Sequence, residues 1–111
     1  MKLKYGVNPQ GVRPEIWFAI GVAEMCYRNA VRELVVTSLT DSHADRPNSL
    51  HNKGLAVDFR TRDIKPQELR AIVNALSNVL EPLGYDVVLE ADHLHVEFQP
   101  KQNEAWMHSV N

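Results

Sequence analysis

Cysteine is scarce in this chain, and long apolar runs are absent. The 111 residues include one cysteine, Cys26, which excludes an internal disulfide and suits a reducing compartment. No stretch approaches the roughly 20 apolar residues of a membrane span. Residues 1–4 resemble the charged start of a signal peptide, but residues 5–14 contain no apolar segment. We therefore predict no membrane partner, no signal peptide and synthesis in the cytoplasm.

An excess of positive charge is also missing. The chain has 12 lysines and arginines against 14 aspartates and glutamates, for a formal net charge of −2. No basic run is present either, so we expect no nucleic-acid partner. The length leaves room for one domain, which we assign to residues 1–111 and expect to be a monomer.

Two segments that begin with proline predict the main helices. Pro14 starts the first, which we expect to run for about 16 residues to near Asn29. Pro66 starts the second, whose apolar residues recur at helical spacing until Pro82. The apolar stripe predicted for the first helix comprises Ile16, Trp17, Phe18, Ile20, Val22, Ala23, Met25 and Tyr27.

Four segments have the β-branched content or the alternation of strands: residues 33–38, 55–60, 85–90 and 93–98. A tight turn at Ala91-Asp92 would join the last two into a hairpin. Residues 1–12 predict an irregular lead-in. Together these features predict an α+β domain, with an antiparallel sheet of about four strands and two packed helices.

Residues 49–58 contain a histidine and an aspartate, His51 and Asp58. Zinc binds imidazole nitrogen and carboxylate oxygen at about 2.0–2.2 Å. A continuous strand would hold the two residues about 23 Å apart, and a helix about 10 Å apart along its axis. A turn at residues 52–54 would instead place them opposite each other, because Asn and Gly tolerate positive φ.

The last predicted strand has His93, His95 and Glu97 on one face and apolar residues on the other. With the separate turn between His51 and Asp58, this pattern favours a metal site over a solvated strand face. Catalytic zinc keeps three protein ligands and an open position for water. His51, Asp58 and one of the two strand histidines meet that count.

A zinc-bound water needs a general base within hydrogen-bond reach. Asp92, His93 and Glu97 are the candidates. The polar loop of residues 40–48 contains a further histidine, His43, which we expect to be solvated rather than a ligand.

Two motifs then resemble a known family: Ser49-x-His51-x-x-Gly54-x-Ala56-x-Asp58 and Asp92-His93-Leu94-His95-Val96-Glu97. They look like the signature of the zinc D-Ala-D-Ala carboxypeptidase and peptidoglycan L-alanyl-D-glutamate endopeptidase family. That family shares its metal site with lysostaphin-type peptidases and the hedgehog domain. The likeness covers about residues 33–99, and a compact single domain is similar to bacteriophage members. It implies a hedgehog-like or D-Ala-D-Ala-peptidase-like fold and Zn²⁺ as cofactor. It also implies hydrolysis of an amide bond in the peptidoglycan stem peptide, as by an endolysin.

Carried over residue by residue, the resemblance implies that His51, Asp58 and His95 bind Zn²⁺. The family's acidic general base, three residues before the last ligand, falls on Asp92. Some relatives use the first histidine of His-x-His instead, which falls on His93. We favour Asp92 as the base and His93 as a hydrogen-bond donor to the transition state or as an orienting residue.

The resemblance also bears on substrate contacts. Ser49 matches a small hydroxyl residue beside the substrate or the ligands. Many relatives have Ser-Gly-Tyr-Arg after the first strand, with the arginine binding substrate, but this chain has no arginine at residues 37–41. We assign that role to Arg46; the alternatives are Arg60 or the absence of such an arginine. Glu97 is expected to hold a metal-bound histidine, since such ligands usually donate to a carboxylate.

A hypothesis of another class is a catalytically silent zinc-binding module that recognises cell wall or a protein partner. The missing arginine motif favours it, whereas Asp92 argues against it, because a module that only binds needs no base. A purely structural zinc site usually has four Cys or His ligands, and this chain has one cysteine. A cell-wall enzyme made without a signal peptide would act after lysis, after separate export or within a phage particle.

Overall fold

The computed structural model describes residues 1–41 and 49–99. The described chain forms five strands, two α-helices and one short 3₁₀ helix. In chain order they are β1 (Lys2–Leu3), α1 (Pro14–Asn29), β2 (Val35–Ser38), β3 (Ala56–Arg60), α2 (Pro66–Leu80), the 3₁₀ helix Glu81–Leu83, β4 (Tyr85–Leu89) and β5 (His93–Phe98).

The strands form one mixed sheet in the order β1-β2-β3-β5-β4. β1 is parallel to β2, and every other neighbouring pair is antiparallel. The α+β class and the β4–β5 hairpin are therefore confirmed. The expected four-stranded antiparallel sheet is wrong by one strand, because the lead-in adds a parallel edge strand. The backbone N–H groups of Lys2 and Lys4 donate to the carbonyls of Leu34 and Val36 at 2.9 and 2.8 Å. Two residues are too few to show the alternation by which a strand is recognised.

One face of the sheet packs against both helices. Val57 and Phe59 on β3 and Leu94 and Val96 on β5 are fully buried there. They contribute to a core that includes apolar side chains of α1 and α2. Successive strand residues point to opposite faces, so the residues between them lie on the face away from the core.

α1 has the predicted bounds, but its apolar stripe is narrower than predicted. Side chains from Ile16 to Tyr27 along one face are buried, whereas Trp17, Phe18 and Met25 are 42, 49 and 65% exposed. The sheet and α2 cover one side of the helix only. Apolar residues are common on protein surfaces, so their presence does not define the width of a buried stripe.

A buried tyrosine joins α1 to the strand that carries the candidate aspartate. The hydroxyl of Tyr27 donates to the backbone carbonyl of Arg60 at 2.9 Å. Burial raises the pKa of Tyr27, so its phenol stays protonated as a donor. This bond fixes the end of β3 relative to the helix.

The segment before α1 forms hydrogen bonds with the two loops on either side of the undescribed residues 42–48. The backbone N–H of Asn8 donates to Asp41 Oδ1 at 2.8 Å, and the hydroxyl of Thr40 donates to the carbonyl of Asn8 at 2.8 Å. Further along, the N–H of Arg13 donates to the carbonyl of Gly54 at 2.9 Å. Gly54 has a φ of 73°, and a Cβ there would overlap the carbonyl oxygen of Gly11. Only glycine suits this contact.

Neither α1 nor α2 is long and apolar enough to cross a membrane, and no other helix in residues 1–41 and 49–99 is either.

Candidate metal centre

Strand pairing brings the polar residues of two distant segments together. Asp58 on β3 is directly opposite His95 on β5, and Arg60 is opposite His93. Residues directly opposite each other in an antiparallel pair lie on the same face. The four side chains therefore share the face away from the helices.

The turn that carries His51 delivers its ring to the same place. The chain turns over residues 50–54, as predicted, and the N–H of Gly54 donates to the carbonyl of His51 at 3.0 Å. The side chain of His51 is 6% exposed. Its Nδ1 lies 2.8 Å from the carbonyl oxygen of Leu39. A carbonyl can only accept, so Nδ1 carries the hydrogen and Nε2 is directed at Asp58.

Ligand atoms of His51, Asp58 and His95 all lie within 4.8 Å of one another. Asp58 Oδ1 is 3.3 Å from Nε2 of His51 and 2.7 Å from Nδ1 of His95. A tetrahedral ion with ligands at about 2.0–2.2 Å separates its ligand atoms by about 3.3–3.6 Å. The His51–Asp58 distance matches this spacing, and the His95–Asp58 distance is that of a hydrogen bond.

The donor set fits zinc. The Nδ1 hydrogen of His51 is directed at Leu39, so Nε2 of His51 and the Asp58 carboxylate face each other as two acceptors. This approach is favourable only if a cation lies between them. That cation is either a proton or a metal ion. Two imidazole nitrogens and one carboxylate oxygen are the ligand types of catalytic zinc sites, which leave the fourth position open.

The charges at this site are strongly coupled. Burial raises the pKa of Asp58, but hydrogen bonds with His51 and His95 and charge interactions with His51 and His93 outweigh burial and hold this pKa well below its ordinary value. The hydrogen bond to Asp58 raises the pKa of His95 to about 8, against the effect of burial and with a further contribution from Glu97. Without a metal, His95 is therefore largely an imidazolium at neutral pH, flanked by two carboxylates.

Glu97 lies behind one of the candidate ligands. Its Oε1 is 2.8 Å from Nε2 of His95, the ring nitrogen that does not face Asp58. A carboxylate in this position orients the imidazole and selects the tautomer in which Nδ1 is available to a metal. From the sequence we expected Glu97 to hold a metal-bound histidine, and His95 is the candidate ligand that it contacts.

Asp92 and His93 form a hydrogen-bonded pair at the rim. Asp92 Oδ1 is 2.6 Å from Nδ1 of His93, and Nε2 of His93 is 3.7 Å from Asp58 Oδ1. The Asp92 side chain is 89% exposed, and that of His93 is 30% exposed. His93 therefore lies between Asp92 and Asp58, and the roles predicted for Asp92 as base and His93 as donor or orienter stay predictions.

A cleft of about 380 Å³ opens beside the candidate ligands. Its lining includes Asp58, Asp92 and His93, together with three cationic residues, Lys4, Arg60 and Arg62. Sequence reasoning offered Arg60 as an alternative and missed the other two. Arg62 lies in the turn after β3, where strand alternation no longer indicates the direction of a side chain. Lys4 has no local signal, because only the pairing of β1 with β2 brings it here.

Three further residues were singled out from the sequence. Arg46 and His43 fall outside the described residues. The hydroxyl of Ser49 accepts a hydrogen bond from the backbone N–H of His51 at 3.2 Å, so it supports the turn that carries this histidine.

No family model, no curated protein and no solved structure matches this chain.

Proposed function

We propose that this protein is a zinc-dependent peptidase that hydrolyses an amide bond in the peptidoglycan stem peptide. The observation that carries the proposal is the convergence of His51, Asp58 and His95 within 4.8 Å, next to an open cleft. The choice of peptidoglycan rests on the two motifs and their resemblance to the D-Ala-D-Ala carboxypeptidase and L-alanyl-D-glutamate endopeptidase family. A hedgehog-like form of the α+β fold belongs to the same proposal.

In this proposal His51 Nε2, Asp58 Oδ1 and His95 Nδ1 hold the ion. A zinc ion there supplies a Lewis acid for a carbonyl oxygen and lowers the pKa of a water molecule towards neutrality. Leu39, through its carbonyl, and Glu97, through its carboxylate, keep the two imidazoles in the required tautomers.

The Asp92–His93 pair moves protons. Asp92 accepts the Nδ1 hydrogen of His93, which leaves Nε2 of His93 to take a proton on the cleft side. The same group then gives the proton to the leaving amine. His93 is the proton-transfer group in this geometry and Asp92 orients it. In the alternative, Asp92, which also lines the cleft, contacts the water directly.

Zinc content tests the ligand set. Purified wild-type protein is expected to bind one zinc per chain, and His95→Ala is expected to lose it. Val88→Ala is the matched control, because Val88 is opposite His95 on β4 and has no ligand atom. Equal zinc content in wild type and His95→Ala would show that the ligand assignment is wrong.

Hydrolysis of purified cell walls tests the reaction. Wild type is expected to release muropeptides, whose masses identify the bond that is cut. Both His93→Ala and Asp92→Ala are expected to retain zinc and lose activity, with the larger loss in His93→Ala. If Asp92→Ala alone is inactive, Asp92 is the base. Zinc binding with no turnover of any muropeptide would favour the silent binding module.

A further inference from the structure

The two edges of the sheet differ in how they are protected. An edge strand presents unpaired backbone N–H and C=O groups, and proteins protect such edges with short strands, lysines, prolines or bulges. β1, at one edge, is two residues long and is followed by Lys4. β4, at the other edge, runs from Tyr85 to Leu89 and contains neither lysine nor proline. Its pairing with β5 has no register shift, so no bulge interrupts it.

Hydrogen bonds at the two ends of β4 show which of its backbone groups face outwards. The N–H of Glu90 donates to the carbonyl of His93 at 2.8 Å, and the N–H of Gln99 donates to the carbonyl of Gly84 at 3.0 Å. Bonded and non-bonded positions alternate along an antiparallel pair, so the even-numbered residues of β4 bond to β5. Within the described chain, the N–H and C=O groups of the odd-numbered residues point away from β5 and form no hydrogen bond: those of Tyr85, Val87 and Leu89.

Apolar side chains near the end of β4 are uncovered as well. Val88 is 42% exposed and Leu89 is 45% exposed. Successive residues of a strand lie on opposite faces, so the edge is apolar on both faces. An exposed apolar edge with unpaired backbone groups is a template for another strand.

The charges on β4 determine which strand fits. Two copies of β4 can pair antiparallel about a two-fold axis through Asp86, Val87 or Val88, since odd-numbered residues must then oppose odd-numbered residues. An axis through Asp86 places this carboxylate opposite itself, and an axis through Val88 places Asp86 opposite Glu90. Only an axis through Val87 opposes no two carboxylates, because Asp86 is then opposite Val88 of the second copy.

We infer that two copies of this chain form a dimer by antiparallel pairing of their β4 strands, centred on Val87. The outward N–H and C=O groups of Val87 then bond to those of Val87 in the second copy, and those of Tyr85 bond to those of Leu89. The same pairing brings the exposed Leu89 side chain against Tyr85. The protected edge at β1 stops the assembly at two copies. This dimer takes the place of the monomer expected from the sequence.

The dimer has a consequence for the candidate metal centres. A two-fold axis normal to the sheet joins the two five-stranded sheets into one and keeps both open faces on the same side. The two β5 strands then lie three strand spacings apart, about 14–15 Å. Both clefts face one side, which suits a polymeric substrate, because engagement of one site raises the effective concentration at the other.

Sedimentation of the full-length protein over a range of concentrations tests the dimer. The contact is smaller than a standard interface, so we expect a monomer at about 1 µM and a dimer at about 1 mM. Amide hydrogen exchange at Val87 should slow over the same range. No substrate is needed, so the result is independent of the proposed peptidase activity.

Val87→Pro tests the strand. It removes the outward N–H from both copies and keeps the bonds to β5, because proline is tolerated on an edge strand whose N–H faces solvent. The dimer is expected to weaken by about tenfold or more. Val87→Thr is the matched control, since it keeps both the N–H and the branched shape, and it is expected to keep the dimer.

Two variants of one exposed residue test the register and also decide the matter if Val87→Pro fails to fold. Val88→Asp places a second carboxylate opposite Asp86 of the other copy, whereas Val88→Lys places a cation there. The aspartate is expected to weaken the dimer and the lysine to preserve or strengthen it, so that the two differ by about tenfold. An unchanged thermal midpoint at about 1 µM shows that each variant is folded.

Four results would each overturn the inference. The first is wild type that stays monomeric at about 1 mM. The second is a dimer that a folded Val87→Pro, or both Val88 variants, leave equally strong. The third is growth beyond two copies. The fourth is slow amide exchange at Val87 in the monomer, which would mean that another segment of the same chain covers the edge.

Discussion

The two faces of β3 and β5 are built from the same two segments but have opposite properties. On one face, Phe59 and Leu94 are completely buried against the helices. On the other, Asp58 and His95 are 14 and 19% exposed and approach each other at 2.7 Å. Burial of apolar area stabilises the fold, whereas nitrogen and oxygen atoms that converge as metal ligands bind cations. We therefore expect substitutions on the first face to change stability and those on the second to change binding.

Phe59→Ala is expected to have the largest effect, and this effect is on stability. The cavity left in the core should lower the free energy of unfolding by about 3–5 kcal/mol. Arg60 is the next residue and lies on the face away from the core. Arg60→Ala should change the free energy of unfolding by less than about 0.5 kcal/mol. Urea unfolding of the metal-free proteins measures both. Comparable losses in the two variants would remove the distinction between the faces.

The effect of pH should have opposite signs for stability and for zinc affinity. The pKa of His95 is raised to about 8, so its proton stabilises the metal-free fold fully below the ordinary value of about 6.5. That contribution is lost as pH rises through about 8. Zinc competes with the same proton, so its affinity should rise by up to about tenfold per pH unit towards pH 8. The groups facing His95 are Asp58, Glu97, His51 and His93.

Chemical unfolding without metal and zinc titration, each followed from about pH 6 to 9, check the two signs. His95→Gln, which cannot titrate, is the control for stability and should lose the decline between pH 6.5 and 8. A zinc affinity that falls as pH rises over this range would contradict the assignment of His95 as a ligand.

Glu97→Gln should weaken zinc binding with little effect on the core. The amide still accepts a hydrogen bond from Nε2 of His95 but without charge, and loss of such a partner typically costs about 10–100-fold in metal affinity. Measurement near pH 9 limits competition from the His95 proton. Glu90→Gln, an exposed carboxylate after β4, is the control. An unchanged affinity would mean that Glu97 does not support the ligand.

Tyr27→Phe is expected to have the smallest effect. Tyr27 lies in the core and its hydroxyl is bonded to the end of β3, the strand that carries both faces. The substitution removes the hydroxyl that donates to the carbonyl of Arg60 at 2.9 Å and keeps the ring in the core. The unfolding free energy should fall by about 1 kcal/mol. Zinc affinity should stay the same, because the ligands themselves are untouched. A large change in zinc affinity would show that the end of β3 positions the site through this bond.

Several features of the fold were predictable because their causes are local. Pro14 and Pro66 mark the first residues of both helices. Alternation identified β3 and β5, and the glycine at residue 54 marked the turn. The parallel strand β1 was missed, since a two-residue strand exists only through its pairing with β2. Exposure of Trp17 was missed because the sequence does not show which side of a helix is covered.

In the candidate site too, features with a local cause were predictable and features that depend on tertiary contacts were not. The pattern of His51, Asp58 and the two strand histidines was visible because each lies in a recognisable turn or strand, and the choice of His95 among them came from the family resemblance. The position of His93 between Asp92 and the ligands was not, because it depends on side-chain rotamers at the end of a hairpin. Lys4 reaches the cleft only through long-range strand pairing.

Alternation along the chain was enough to place Asp58 with Arg60 on one side of their strand, and His93 with His95 and Glu97 on one side of theirs. A strand has a period of two, so these groupings follow from the residue order. Which of these residues meet was decided by the register of β3 against β5, which pairs Asp58 with His95. Register depends on burying the apolar faces of both strands against the helices, and a slip of one residue would point every side chain to the other face.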